Sequence, residues 1–225
     1  MKSHSAFSDF KTVLCVIILI LYFTGIPPML NFGPLSAFFS LSEIVIVILF
    51  IPTLFGEITK LFKNPKTILY LFLGVALIAG IDVFAWEFFI HPVLCDMVGF
   101  TPNNANTETV FESFGTSLGN MIFWCCVFGP IVEEILYRYT AFGLLQKKNK
   151  LLAHMLTALM FGIQHVAVAG IWGGDVTQFI NIGEYLIFSL IMTFLYEKSN
   201  NLCIPIILHV TKNLLGVLFM FSRLG

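Results

Sequence analysis

Seven apolar stretches, beginning near Thr12, Leu35, Thr67, Thr116, Leu151, Phe179 and Leu202, divide the sequence. Each is long enough to cross a bilayer, whose hydrocarbon is ~30 Å thick and needs about 20 helical residues. The pattern predicts an all-α fold, a polytopic transmembrane helical bundle of about seven spans, within bounds of about six to eight. A soluble domain has no use for this much apolar surface: 58% of the 225 residues are hydrophobic, 25 are phenylalanine and only 11% are charged. The first run, Val13 to Phe23, follows Lys2 and Lys11 as a signal peptide would, but TGIPPMLNFG after it lacks a small-x-small cleavage site. It is expected to remain as a span. No repeat, low-complexity tract or soluble domain is visible, so residues 1–225 read as a single integral membrane domain.

The net charge of -1 offers no basic surface to neutralise phosphates, which argues against nucleic acid as a partner. Lysines cluster in alternate connections: Lys2 and Lys11, then Lys60, Lys63 and Lys66, then Lys147, Lys148 and Lys150, then Lys198. The opposite connections, residues 31–37, 91–115 and 169–178, hold no lysine or arginine. By the positive-inside rule the expected location is the cell membrane, multi-pass, with the amino terminus cytoplasmic and the carboxyl terminus extracytoplasmic. The long connection 91–115 reads as a solvated outer loop. The cysteines, Cys15, Cys95, Cys125, Cys126 and Cys203, have neither metal-ligand nor disulfide spacing and read as small apolar fillers.

Against this background PIVEEILYRY, residues 130–139, stands out, because charge in hydrocarbon persists only where it is paired, hydrated or used. The apolar stretch containing it, Thr116 to Leu145, would be ~45 Å long as one straight helix. Gly129-Pro130 is expected to interrupt it, so that Ile131 begins a fresh segment with the glutamates in its first turn. Glu134 and Arg138 are four apart and share a face, whereas Glu133 lies about 100° round the helix. Arg138 then neutralises Glu134 and leaves Glu133 without a partner, as suits a general base. The same three residues are equally compatible with a structural ion-pair cluster. FGIQH sets Phe161 and His165 on one face of the fifth span, and HVTKN sets His209 and Asn213 on one face of the seventh. Taken singly, these last two read as interhelical hydrogen-bonding sites, as does His154. Counted from the cytoplasmic ends, Glu133 and His165 lie roughly 12 to 15 residues deep and His209 about seven, a difference of ~10 Å that helix tilt can absorb.

The order E-E-x-x-x-R, F-x-x-x-H, H-x-x-x-N on separate spans resembles the CAAX protease and bacteriocin-processing family of intramembrane proteases, also called the Abi family. The resemblance covers about residues 116–221, a protease-like core, and implies a helical bundle that hydrolyses peptide bonds without a metal or any other cofactor. It implies that Glu133 is the base, His165 its partner in activating water, and His209 with Asn213 the donors to the oxyanion. Glu134, Arg138 and Phe161 would support them. The implied partners are a peptide or membrane-tethered protein substrate and the lipid bilayer. Three residues depart from the family pattern: Tyr139 after the motif arginine, Leu208 before the third-motif histidine, and Lys212 beside Asn213.

Other peptidase patterns fail. H-E-x-x-H is absent, WGGD at 172–175 does not match G-x-G-D, and GTSLG at 115–119 opens a membrane helix rather than a strand-to-helix elbow. The competing class is a non-catalytic immunity or regulatory scaffold protein of the same family. A cation transporter would use Glu43, Asp82, Glu87 and Glu184, but these form no repeated pattern. The lysine asymmetry makes a direct prediction: a cysteine introduced at Lys148 is labelled by an impermeant maleimide only from the cytoplasm, and one at Asn104 only from outside. Reversed labelling would overturn the orientation.

Overall fold

The computed structural model describes residues 6–23, 34–99, 104–114 and 117–222. The segment TGIPPMLNFG and the first two residues of GTSLG lie outside the described residues. All regular structure among the described residues is helical. In chain order the helices are α1 (Ala6–Phe23), α2 (Pro34–Lys63), α3 (Lys66–Val98), α4 (Ala105–Phe114), α5 (Leu118–Leu145), α6 (Lys150–Trp172), α7 (Val176–Ser199) and α8 (Cys203–Ser222). Helices α2, α3, α5, α6 and α7 are long and apolar enough to cross a membrane, and α1 and α8 contribute shorter apolar lengths. The chain is thus a polytopic helical bundle of about seven spans, as its apolar periodicity predicts.

α5 occupies the middle. Ile135, Leu136, Tyr137 and Arg138 are consecutive and all fully buried, so this part of the helix is enclosed on every side. One apolar core joins it to Ile18 of α1, Ile46 and Phe50 of α2, Phe161 of α6, Leu195 of α7 and Leu208 of α8. α3 is peripheral: only 11% of its most apolar window is buried, against 39% for α6 and α7. Its exposed phenylalanines, Phe72, Phe84, Phe88 and Phe89, form an outer face suited to lipid, which explains part of the phenylalanine surplus. Its inner face docks closely, with Leu208 of α8 packed on Gly74 and the indole of Trp86 over Gly183 of α7.

Two expectations are corrected. The third span continues past His91 to Val98, and the following connection is not simply a solvated loop, because it contains α4. The Ala105 N–H donates to Gln178 Oε1 at 3.0 Å, which ties this connection to α7.

The second correction concerns Gly129-Pro130, which does not interrupt α5. Residues Ile122–Phe128 form a wider π-helical stretch, in which the N–H of Gly129 reaches back to Trp124 O. A side chain at 129 would crowd that carbonyl, since a Cβ there would lie 3.0 Å from it. In the same register the N–H that Pro130 lacks would have served Cys125 O. That carbonyl instead accepts from Asn213 Nδ2 of α8 at 2.8 Å. A donor on another helix replaces the missing one, and the helical path survives the proline. Glu133 and Glu134 therefore lie in mid-helix and not in the first turn of a new segment.

This exchange of donors is measurable. Asn213→Leu orphans Cys125 O and is expected to cost about 1–3 kcal/mol in a detergent unfolding titration. In a Pro130→Ala background the new N–H can bond the carbonyl, and the same substitution should cost much less. Equal costs in the two backgrounds would refute the link.

Candidate active site

The site is built around a charge pair within α5. Arg138 Nε lies 3.0 Å from Glu134 Oε2, with both side chains 0% exposed, as the four-residue spacing predicts. Arg138 Nη2 also donates to Ser189 Oγ of α7 at 3.3 Å, and its guanidinium lies 4.9 Å from the centre of the Phe161 ring on α6. The second Glu134 oxygen, Oε1, is 2.8 Å from His209 Nδ1 of α8. Four helices thus meet at one ion pair.

Glu133, 16% exposed, is on the accessible side of this cluster. The sequence reading leaves it without a partner, and the structure corrects that. Gln164 Nε2 donates to Glu133 Oε1 at 3.3 Å, and His209 Nε2 lies 3.6 Å from Oε2. Gln164 is in turn held by the Tyr137 hydroxyl, which donates to its Oε1. The His209 ring therefore lies between two carboxylates, one nitrogen beside each.

His165 is placed differently. Its Nδ1 is 2.8 Å from the backbone carbonyl of Phe161. A carbonyl only accepts, so Nδ1 carries the hydrogen and Nε2 is left as the acceptor nitrogen. The imidazole packs against the rings of Phe161 and Tyr185, whose centres are 4.4 Å and 4.3 Å away.

Glu133, Phe161, His165, His209 and Asn213 all line one cavity of about 580 Å³, with Glu134 and Arg138 behind its wall. This volume falls in the usual range for ligand sites, about 300–1,000 Å³. All seven residues singled out in the sequence are gathered here. The difference in depth between His209 and the other motifs is absorbed by the packing of the helices.

The departures from the family pattern also have physical partners. Lys212 Nζ lies 2.6 Å from Asp82 Oδ2 of α3 and 3.3 Å from Glu184 Oε1 of α7, and 4.4 Å from the centre of the Phe188 ring. A lysine, an aspartate and a glutamate that look misplaced singly in apolar runs are thus brought together, the one ammonium shared between two carboxylates. Tyr139 packs edge-on against Phe50, and Leu208 fills the space over Gly74. His154 pairs with Glu197 at 2.9 Å, consistent with a structural contact. Sequence reasoning missed Gln164, Tyr185 and the partners of Lys212. Gln164, adjacent to His165 in a largely apolar span, is the one that carried a readable signal.

The fold and these convergent side chains define a multi-pass membrane protein with a half-open, largely apolar cavity among its helices into which a few polar groups converge. Residues 116–215, somewhat less than half of the chain, match the sequence model of the Rce1-like family, type II CAAX prenyl endopeptidase Rce1-like, so this segment is similar to that family. Three curated relatives are similar over parts of their length. YdiL of Bacillus subtilis, named as a candidate membrane peptidase, is 26% identical over 125 residues, 55% of this chain and 46% of its own. The membrane-embedded CAAX protease MroQ of Staphylococcus aureus is 26% identical over 166 residues, 70% of this chain and 60% of its own. The UPF0177 protein YxdF of Lactococcus lactis is 32% identical over 87 residues, 39% of this chain and 42% of its own. The chain spans roughly half the length of these curated relatives, and no solved structure matches it.

The geometry separates a fully buried, paired carboxylate, Glu134, from one that lines the cavity, Glu133. Removing Arg138 leaves Glu134 buried without its counter-charge, and breaking such a pair costs about 3–5 kcal/mol. Arg138→Ala is therefore expected to lower the amount of folded protein recovered from membranes, measured by fluorescence-detected gel filtration, whereas Glu133→Gln is not. Equal recovery of the two variants would contradict the assignment.

Proposed function

We propose that the protein is an intramembrane endopeptidase in which Glu133 and His165 activate a water for attack on a peptide bond. The observation that carries this reading is the orientation of His165. Its Nδ1 hydrogen is committed to the Phe161 carbonyl, so Nε2 is available to accept from a water in the cavity that Glu133 also lines. Glu133 takes the proton of the attacking water and returns it to the leaving amine. His209, whose Nδ1–H donates to Glu134 and which carries a second proton on Nε2, and the second amide hydrogen of Asn213 donate to the oxyanion as charge develops. Glu134 and Arg138 fix the His209 ring in place, and Phe161 packs against His165.

The name of MroQ, a membrane-embedded CAAX protease, supports a peptide or membrane-tethered protein as substrate. The lysine-bearing connections support a cytoplasmic amino terminus, and on that topology residues 105–107, which line the cavity, belong to an extracytoplasmic connection. The proposed reaction uses no metal and no other cofactor.

The test compares newly formed peptide amino termini in membranes carrying wild type, Glu133→Gln and His165→Ala, followed by turnover measurements on the substrate so identified. Each substitution is expected to lower turnover by ~10² to 10⁴. Activity should survive strong chelators. Wild-type turnover in folded variants would exclude this mechanism, and biological activity retained without cleavage would favour the scaffold reading. Loss to chelator with recovery on added zinc would replace the mechanism with a metal-dependent one.

A further inference from the structure

Tyr185, on α7, makes two sets of contacts. Its ring is nearly parallel to the His165 imidazole, with an interplanar angle of 19° and a centroid separation of 4.3 Å. Together with the Phe161 ring and the Phe161 carbonyl, it restricts the imidazole to an orientation in which Nδ1 is occupied and Nε2 is the free nitrogen. At the other end of the same side chain, the hydroxyl donates to Asn104 Oδ1 at 3.1 Å and accepts from Asn106 Nδ2 at 3.3 Å. These residues belong to the segment that leads into α4, and Ala105, Asn106 and Thr107 form part of the cavity wall.

A second anchor holds the same segment. Gln178 is buried, accepts from the Ala105 N–H at 3.0 Å, and donates through Nε2 to Asp175 Oδ2 at 3.0 Å. Asp175 lies between spans, where hydrogen bonds from the Thr177 hydroxyl and the Gln178 amide hold its carboxyl below the usual carboxylate range. Gln178 thus fixes the backbone of the cover. Tyr185 reaches both the cover and His165.

We propose that Tyr185 is a positioning residue that couples the cover of the cavity to the imidazole facing it: the ring holds His165 and the hydroxyl fastens residues 104–106. The inference rests on the reading of His165 as the partner of Glu133. One side chain thus performs two separable tasks, the ring orienting His165 and the hydroxyl holding the cover.

The ring and the hydroxyl can be removed separately. Tyr185→Phe keeps the ring and frees the cover, as does the double variant Asn104→Ala/Asn106→Ala. Tyr185→Leu removes the ring as well, and Tyr185→Met serves if the leucine variant does not accumulate. Three readouts are taken on the full chain in detergent. These are residue-specific alkylation of Cys125, a half-buried cavity-lining thiol, by a small maleimide; the ring-nitrogen NMR signals of His165; and kcat against KM.

Tyr185→Phe and the asparagine double variant should raise Cys125 alkylation severalfold and change KM more than kcat, with His165 keeping one tautomer. Tyr185→Leu should give the same alkylation, a mixture of His165 tautomers, and a fall in kcat of roughly tenfold to a hundredfold. Unchanged alkylation in Tyr185→Phe, or an unchanged His165 signal in Tyr185→Leu, would overturn the proposal. Should His165→Ala cleave at the wild-type rate, the peptidase mechanism fails instead, and the alkylation and NMR readouts still judge Tyr185.

Discussion

The Glu134–Arg138 pair governs the arrangement of the whole bundle. Two charges with no exposed surface in an apolar helix demand partners, and three neighbouring helices each supply one: Ser189 from α7, the Phe161 ring from α6 and His209 from α8. Such a pair is a poor source of net stability, because removing both ions from water offsets most of their attraction. What it does confer is direction. Glu134 has one oxygen toward Arg138 and the other toward His209, so the imidazole of α8 is aligned by a carboxylate that cannot turn away without abandoning the guanidinium.

The second polar cluster follows the same logic at the other side of the cavity. Lys212 links α8 to α3 through Asp82 and to α7 through Glu184, and its position next to Asn213 means that one helical turn of α8 carries three side chains bound to three different helices. Rotation of α8 about its axis would break all three contacts together. The aromatic rings of Phe161, Phe188 and Tyr185 fill the space between the polar groups, which keeps the hydrogen-bonding directions few and well defined.

Much of this was legible in the sequence. Apolar run length reveals the spans, and helical periodicity alone pairs Glu134 with Arg138 and puts Phe161 beside His165, since these are local properties. What was not legible depends on contacts distant in sequence. The proline at 130 reads as a break, because the donor that replaces its missing N–H is on α8, 88 positions beyond the carbonyl it serves. Glu133 reads as unpaired because Gln164 and His209 reach it from other helices, and Lys212 reads as anomalous until Asp82 and Glu184 are brought beside it. The connection containing α4 reads as solvated because Asn104 and Asn106 look exposed until Tyr185 is brought beside them, and the Ala105 backbone that Gln178 holds carries no sequence signal.

The replacement of a backbone donor by Asn213 also has a consequence for biogenesis. A ribosome delivers α5 to the membrane long before α8, and during that interval Cys125 O and Glu134 both lack the partners that α8 provides. The central helix is thus incomplete at the time of its own insertion, and needs water, lipid headgroups or an insertion factor to shelter these groups until α8 arrives. Assembly of the cavity is therefore a late event in synthesis, and a nascent chain holding most of its spans does not yet possess the site.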